Sequence, residues 1–260
     1  MSQALAEEKV CKKPKLKDPL PYWPLHHCAG CHHGVILRLI IEVLEEEALE
    51  GRAVFIGGGG CSARWASYFD IDAESGIHGP NSALASAIKR IHPDALVFVV
   101  QGDGEIGAIG LGSFVSAALR GERITSISLN NACFGTTGGQ MAPTTPLGMK
   151  TTTSPEGRDP STTGFPFHEP ELVAPLPGVA YAARGSVHTA ANFQKSKRML
   201  KNAFRVQIEG LGFASVEFIS TCPSNWRLSP VECLRFVEEQ MIPEFPLGEF
   251  KNVLKQNEAP

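Results

Sequence analysis

Some segments of this chain place apolar residues at helical spacing, and other segments are continuous apolar runs of the kind found in buried strands. Residues 35–49 place apolar side chains at helical spacing with acids on the opposite face, which predicts an amphipathic helix, and a basic helix is predicted over about 191–209. The uninterrupted apolar run at 95–100 is typical of a strand buried on both faces. Shorter runs predict further strands, at 53–56, 124–129, 179–187 and 213–220.

The order of these elements predicts the fold class. The strand at 95–100 is followed by a glycine loop, a helix at 111–122 and the strand at 124–129, which predicts a right-handed crossover between parallel strands. We therefore predict one α/β domain over 26–250, with a mostly parallel sheet and flanking helices. An extended N-terminal arm over 1–25 and a C-terminal tail over 251–260 are expected around it.

Cap residues and loop composition add local detail. Asn81 or Ser82 is expected to cap the helix that follows His78, and Ser229 is expected to cap the last helix with Pro230 at its first position. Residues 135–170, rich in Thr, Gly and Pro, predict a long irregular segment, and such a loop in a compact domain is usually functional.

Composition excludes several classes of protein. With 43% hydrophobic and 20% charged residues, the 260-residue chain has the balance of a soluble globular protein. No run reaches the roughly 18 apolar residues of a membrane span, and the charged start lacks the apolar stretch of a signal peptide, so we expect a cytoplasmic protein. A net charge of −3 gives no reason to expect nucleic acid. Seven cysteines without an export signal indicate buried thiols or metal ligands rather than disulfides.

The loop after the strand at 95–100 has the sequence GDGEIG and matches the dinucleotide fingerprint G-x-G-x-x-G. Asp103 would repel a bare pyrophosphate, and the next strand ends in Asn130 and Asn131 rather than in an acid for the ribose. An Asp and an Asn at adjacent strand ends could instead share a Mg²⁺ ion that bridges phosphates. A nicotinamide or flavin site and a simple turn capped by Asp103 remain as alternatives.

The cysteines suggest a metal centre. Cys28 and Cys31 form a C-x-x-C-H sequence, which is also the attachment signature of c-type haem in exported proteins. Cys61 and Cys222 each follow a predicted strand and could complete four thiolates, around either zinc or an iron–sulfur cluster. Cys11 and Cys233 have no such position and are expected to be spare thiols.

A third motif, FGTTGGQ at 134–140, follows the asparagine pair. Backbone N–H groups of such a loop can form an anion-binding nest, and threonine hydroxyls add donors. His78 precedes Gly79 near this proposed phosphate site and is a candidate ligand contact.

Over about residues 20–250 the chain resembles the thiamine-diphosphate-binding β subunit of 2-oxoacid:ferredoxin oxidoreductases. The resemblance rests on GDGEIGAIG followed by NNACFGTTGGQMAPTT, on HHCAGCHHG against the family's CPGCGHG, and on GGGGCS and IHGP against GxGCS and HGR. KTTTSPEGRDP and STCPSNWRLSPVE are most similar to the subunits that act on 2-oxoisovalerate and other branched-chain oxoacids.

The resemblance implies roles for particular residues. Asp103, Asn131 and the backbone carbonyl of Cys133 would bind Mg²⁺. The thiamine diphosphate would be lined by Ser62, His78, Gly102, Asp103, Gly104, Glu105, Asn131, Cys133, Gly135 and Thr136. A [4Fe–4S] cluster would be held by Cys28, Cys31, Cys61 and Cys222.

The resemblance also implies an activity and partners. It implies the oxidative decarboxylation of a 2-oxoacid to acyl-CoA and CO₂, with coenzyme A as acceptor of the acyl group and ferredoxin as acceptor of the electrons. The glutamate that activates the cofactor belongs in this family to a pyrimidine-binding α subunit, so this chain contributes no catalytic residue of its own and is expected to be inactive alone. Further partners would be γ and ferredoxin-like subunits.

Four positions depart from the family pattern. Glu105 stands where Asp is usual, His32 adds bulk beside the cysteines, Pro80 replaces an Arg, and Phe134 replaces a Tyr. Two other functions remain open: a subunit of a non-redox thiamine-diphosphate decarboxylase, and a zinc-stabilised structural subunit.

Overall fold

Seven strands form one sheet in the computed structural model, which describes residues 26–257. The strands of this sheet are β1 (Ala53–Gly57), β2 (Asp72–Ser75), β3 (Leu96–Gly102), β4 (Thr125–Asn130), β7 (Val179–Ser186), β8 (Phe213–Ile219) and β9 (Gly248–Asn252), and β5 (Cys133–Phe134) pairs with β6 (Gln140–Met141) in a small separate hairpin. Their order in the large sheet is β2-β1-β3-β4-β8-β7-β9. Every neighbouring pair is parallel except β7 with β9. The mostly parallel α/β fold is therefore confirmed.

The helices are α1 (His33–Glu46), α2 (Asn81–Ile91), α3 (Leu111–Leu119), α4 (Pro160–Thr163), α5 (Glu169–Val173), α6 (Ala190–Ile208), α7 (Pro223–Trp226), α8 (Pro230–Phe236), α9 (Ile242–Glu244) and α10 (Val253–Asn257). Short 3₁₀ turns lie at Glu50–Arg52, Gly60–Ser62 and Trp65–Ser67, and π-helical turns lie at Glu105–Ile109 and Val237–Met241. Within the described residues, no helix is both long and apolar enough to cross a membrane.

Helices cover both faces of the sheet, and the central strands are apolar on both sides for that reason. Phe98 and Val100 of β3 pack in a cluster with apolar residues of α1 and α6. Val97 and Val99, which alternate with them, pack in a second cluster with residues of α2 and α3. Successive residues of a strand point to opposite faces, so a continuous apolar run is what a doubly covered strand requires.

Two strands of the sheet were not predicted, because both lie at its edges and lack an apolar run. β2 has the sequence DAES and is exposed throughout, while β9 has the sequence GEFKN and is half-buried. β9 also crosses residue 250, where the tail was expected to begin. Leu254 beyond it is buried, so residues 251–257 continue the domain. The arm over 1–25, with Cys11, and residues 258–260 lie outside the described residues.

The predicted helix caps have mixed outcomes. Ser229 caps α8 as expected, with Pro230 in its first turn and a reciprocal bond between Ser229 and Glu232. The prediction that Asn81 or Ser82 caps α2 is wrong, because the helix begins at Asn81 directly after Pro80 and has no side-chain cap. The Asn81 amide instead donates to Glu105, 3.1 Å away.

A buried ion network joins three strands near their carboxyl ends. Arg184 on β7 is fully buried and pairs with Glu217 on β8 and, through two bonds of 2.7 Å, with Glu171 on α5. Glu217 in turn accepts a 2.6 Å hydrogen bond from the Asn130 amide at the end of β4. Since a buried carboxylate without a counter-charge is strongly unfavourable, Arg184 makes the position of Glu217 possible.

We expect Arg184→Met to lower the free energy of unfolding by about 3–5 kcal/mol, because it leaves Glu217 charged and buried without its cation. Urea unfolding of the purified protein measures the change. Arg38→Ala is the control: it breaks an exposed pair with Glu42 on α1 and should cost about 0.5 kcal/mol or less. A loss below about 1 kcal/mol for Arg184→Met would contradict the role assigned to this network.

Candidate functional site

Loops at the carboxyl ends of β1, β3 and β4 surround one cavity of about 180 Å³. All ten residues expected to line a cofactor do line this cavity: Ser62, His78, Gly102, Asp103, Gly104, Glu105, Asn131, Cys133, Gly135 and Thr136. The carboxyl edge of a parallel sheet is where such folds bind ligands, because the loops there are free of the sheet's hydrogen bonding. Six further residues line the cavity: His33, Gly59, Gly60, Cys61, Phe134 and Thr137. Of these, Cys61 was expected to hold the cluster, and Phe134 and Thr137 belong to the loop expected to bind an anion.

Three oxygen-bearing groups converge on one point of the cavity. One terminal atom of the Asn131 amide lies 2.7 Å from the carbonyl oxygen of Cys133 and 3.3 Å from Oδ1 of Asp103. If this atom is nitrogen, it donates to both oxygens. If it is oxygen, three oxygens face one another at about the 3 Å spacing of adjacent ligands around Mg²⁺, and a cation removes their repulsion.

Hydrogen bonds between side chains and the backbone hold the segment that carries two of these groups. Ala132 has a φ of +59°, which is strained for a residue with a side chain, and its N–H donates to Oδ1 of Asn130 at 3.1 Å. Thr145 donates to the Ala132 carbonyl at 2.6 Å, and Trp226 donates to the Asn131 carbonyl at 3.0 Å. The turn is thus fixed from both sides, which orients Asn131 and the Cys133 carbonyl.

Asp103 lies at the end of β3 and is almost fully buried. Burial raises the pKa of its carboxyl to about 7, although hydrogen bonds from the Thr144 hydroxyl and the Gly104 backbone act in the opposite direction. Neither donor carries a positive charge. The donor set of Asp103, Asn131 and Cys133 therefore fits a hard divalent cation, which would supply the charge that the carboxylate lacks.

The neighbouring carboxylate, Glu105, has a different environment. It accepts hydrogen bonds from the N–H of Gly59 at 2.9 Å and of Gly79 at 3.0 Å, and from the Asn81 amide at 3.1 Å. Nδ1 of His78 lies 3.6 Å from the same oxygen. Glu105 therefore lines the cavity as expected, and its hydrogen bonds connect the loop after β1 to the loop before α2.

Gly104 permits the close packing of Phe134, one of the departures from the family pattern. A Cβ at Gly104 would overlap the Phe134 ring, so only glycine fits there. Phe134 begins the hairpin that returns at Gln140. The aromatic ring in this way sets the distance between the loops after β3 and β4.

A second cavity of about 120 Å³ lies beside the first and is lined by all four cysteines expected to hold a cluster, Cys28, Cys31, Cys61 and Cys222. They come from the segment before α1, the loop after β1 and the end of β8. The two cavities share the residues His33, Cys61, Asn131 and Gly135. The structure thus brings the predicted thiols together against the wall of the predicted cofactor site.

Each of three thiols has a polar partner. His33 Nδ1 lies 3.0 Å from Sγ of Cys31, the Thr136 hydroxyl 3.0 Å from Sγ of Cys61, and Asn225 donates to Sγ of Cys222 at 3.1 Å. Burial raises the pKa of Cys31 to about 12.

Cys222 differs, because a hydrogen bond from the Cys133 thiol lowers its pKa to about 6 against the effect of burial. Among the described residues, no three His, Cys, Asp or Glu side chains are close enough to hold a single metal ion. Zinc needs its ligands about 2.3 Å from one centre, whereas in a four-iron cluster each thiolate binds a different iron and the sulfurs stand farther apart. The two metal centres therefore differ in the sulfur spacing that they require.

Three histidines near the cysteines, His27, His32 and His33, are buried or largely buried. Burial lowers the pKa of His27 and of His32 to about 4 and that of His33 to about 3. His27 accepts a 3.0 Å bond from the Trp65 indole, and His33 Nδ1 also lies 3.0 Å from the Ser220 hydroxyl. His33, which lines both cavities, was missed because a histidine beside C-x-x-C carries no signal of its own.

Comparison with known proteins agrees with this geometry. Residues 58–218 match the model of the thiamine pyrophosphate enzyme, C-terminal TPP binding domain. The ketoisovalerate oxidoreductase subunit VorA of Methanothermobacter thermautotrophicus is 40% identical over 87% of this chain and 48% of its own length. The 2-oxoglutarate synthase subunit KorB of Archaeoglobus fulgidus is 34% identical over 83% of this chain and 76% of its own length. The chain thus spans about half of VorA.

A solved structure of 2-oxoglutarate:ferredoxin oxidoreductase from Magnetococcus marinus, with 2-oxoglutarate, coenzyme A and succinyl-CoA bound, has the same fold. Its TM-score is 0.74 at 22% identity, with 94% of this chain and 88% of that chain covered. Fold and cavity thus define a thiamine-pyrophosphate-binding domain. Within that class, the chain belongs to the TPP-binding subunits of the 2-oxoacid:ferredoxin oxidoreductase family.

We expect Glu105→Ala to lower the free energy of unfolding by about 3 kcal/mol, because the donors on Gly59, Gly79 and Asn81 lose their shared acceptor at about 1 kcal/mol each. Glu105→Gln keeps one acceptor oxygen and should lose about half as much. Urea unfolding of the two variants beside the wild type measures this. An alanine variant as stable as the wild type would show that these bonds do not hold the loops together.

Proposed function

We propose that this chain is the thiamine-diphosphate- and Mg²⁺-binding, iron–sulfur subunit of a cytoplasmic, CoA-dependent 2-oxoacid:ferredoxin oxidoreductase. The reaction is the oxidative decarboxylation of a 2-oxoacid to acyl-CoA and CO₂, with the electrons passed to ferredoxin. The observation that carries the proposal is the convergence of Asp103, Asn131 and the Cys133 carbonyl in a cavity within a TPP-binding domain.

Mg²⁺ would be held by Asp103, Asn131 and the Cys133 carbonyl, and would neutralise the diphosphate. Gly102, Gly104, Gly135 and Thr136 would line the diphosphate, with Ser62 and His78 nearby. Glycines leave backbone N–H groups accessible, and the Thr136 hydroxyl adds a donor. When bound, thiamine diphosphate supplies the nucleophilic carbon and the electron sink that decarboxylation of a 2-oxoacid needs.

The cavity contains no acid that is free to activate the cofactor. Asp103 and Glu105 are the carboxylates among the described residues that line it, and the first faces the proposed metal while the second is engaged by three donors. The activating glutamate would therefore come from a pyrimidine-binding α subunit, and this chain alone would be inactive. Further γ and ferredoxin-like subunits would complete the complex.

Cys28, Cys31, Cys61 and Cys222 would hold a [4Fe–4S] cluster that accepts electrons leaving the cofactor. The wall shared by the two cavities supports this, because the same four residues line both of them. The cysteine cavity also favours the oxidoreductase over a non-redox decarboxylase, which has no use for it. The identity to ketoisovalerate oxidoreductase subunits favours a branched-chain substrate such as 2-oxoisovalerate.

The metal assignment predicts that Asp103→Ala weakens thiamine diphosphate binding in the presence of Mg²⁺. The loss of the carboxylate leaves diphosphate charge uncompensated in a largely dry cavity, which should cost about 3 kcal/mol or more, or roughly a hundredfold in Kd. Calorimetry on the assembled complex measures it. Asp94→Ala, an exposed position before β3 at the other end of that strand, should bind normally. An unchanged affinity of Asp103→Ala for thiamine diphosphate would show that Asp103 does not bind the metal.

The cluster assignment predicts that Ser in place of Cys28, Cys31, Cys61 or Cys222 removes the visible absorbance of the cluster and electron transfer to ferredoxin. Cys233→Ser should retain both, because Cys233 lies outside the cysteine cavity, and so should Cys11→Ser. Iron and acid-labile sulfide are measured on the anaerobically purified complex. Stoichiometric zinc without iron, with equal tolerance at all six positions, would favour the structural-subunit alternative.

A further inference from the structure

The short helix α7 begins directly after Cys222 and lines the cysteine cavity. Asn225 on this helix is half-buried and lines the cysteine cavity. Its amide nitrogen donates to the carbonyl of Gly135 at 2.9 Å and to Sγ of Cys222 at 3.1 Å. An amide carries two N–H groups, so a single nitrogen can satisfy both acceptors at once.

The Asn225 side chain has little freedom to move. A Cβ added at Gly139 would stand 2.9 Å from Oδ1 of Asn225, so the loop backbone packs closely on this amide. Gly139 has a φ of +78°, a conformation that favours glycine. The loop after β4 therefore positions the amide against Cys222 and Gly135.

The next residue anchors the same helix to the proposed metal ligand. The Trp226 indole donates to the Asn131 carbonyl at 3.0 Å, and its ring packs on Phe236 with centroids 4.7 Å apart. Consecutive residues of α7 thus bond to Asn131 and Gly135, and both of these line the cofactor cavity and the cysteine cavity.

We propose that Asn225 is a positioning residue that raises the reduction potential of a cluster bound at Cys222 and ties that cysteine to Gly135 of the cofactor loop. The proposal rests on the function proposed above. Reduction adds negative charge to a cluster and its thiolates, so an N–H donor on a thiolate sulfur stabilises the reduced form more than the oxidised form. Loss of the donor makes the cluster harder to reduce.

The experiment compares cluster midpoint potentials in the assembled complex, by redox titration monitored with electron paramagnetic resonance. Asn225→Ala and Asn225→Asp should both shift the midpoint to more negative values. Asn225→Asp should shift the midpoint at least as far, because aspartate keeps the shape of the asparagine side chain, donates no hydrogen bond at neutral pH and adds a negative charge. Asn202→Ala is the matched control. It removes an amide on the distant helix α6 whose partner is Glu249 on β9, and it should leave the potential unchanged.

The outcomes separate this inference from the proposed function. A wild-type complex without iron and sulfide overturns both. A wild-type complex with a cluster whose midpoint is the same in Asn225→Asp overturns the role of Asn225 alone. If Asn225→Ala fails to retain its cluster, the midpoint of the isosteric variant Asn225→Asp alone tests the role of Asn225. A negative shift in Asn225→Asp with no shift in Asn202→Ala supports the proposal.

Discussion

Four carboxylates are buried near the carboxyl edge of the sheet, and the site depends on how each of them is neutralised. Glu217 has Arg184, and Glu105 has three neutral N–H donors. Burial, with the charge of Glu217 in addition, raises the pKa of Glu169 to about 8, so this group stays largely protonated at neutral pH. Asp103 has only a hydroxyl and a backbone donor. Asp103 therefore has less to compensate its charge than Glu217 or Glu105, which supports the cation proposed there.

The apolar pattern predicted most of the sheet because its central strands are covered on both faces. It missed β2 and β9, where one edge is solvated and the side chains are polar. The ten residues that line the first cavity could be named because the resemblance to the family assigns them, and its motifs follow strands whose ends meet at one edge of the sheet. Thr144, Asn225 and Trp226 could not be named, since each acts on the site from a loop or helix distant in sequence. Arg184 and Glu217 lie within predicted strands, and only the fold shows that they are buried as a pair.

The four residues that depart from the family pattern differ in the contacts that they make. Glu105 reaches donors on two loops, and Phe134 fills the space that Gly104 leaves. Pro80 directly precedes α2, so the peptide after Gly79 has no N–H, while the N–H of Gly79 itself is taken by Glu105. His32 is buried, with its backbone N–H on Thr221 and no partner for Nδ1.

Hydrogen bonds attach the segment that carries Cys28 and Cys31 to the domain. The Thr221 hydroxyl accepts from the N–H of His32 at 3.0 Å and donates to the carbonyl of Gly30 at 2.7 Å, and His26 bonds to Tyr68 and to the Cys61 carbonyl. Thr221 lies 189 residues from His32 and 191 residues from Gly30 in the sequence. The placement of two thiols near one end of the described chain therefore depends on a single hydroxyl near the other end, and a change at Thr221 would displace both thiols without touching either.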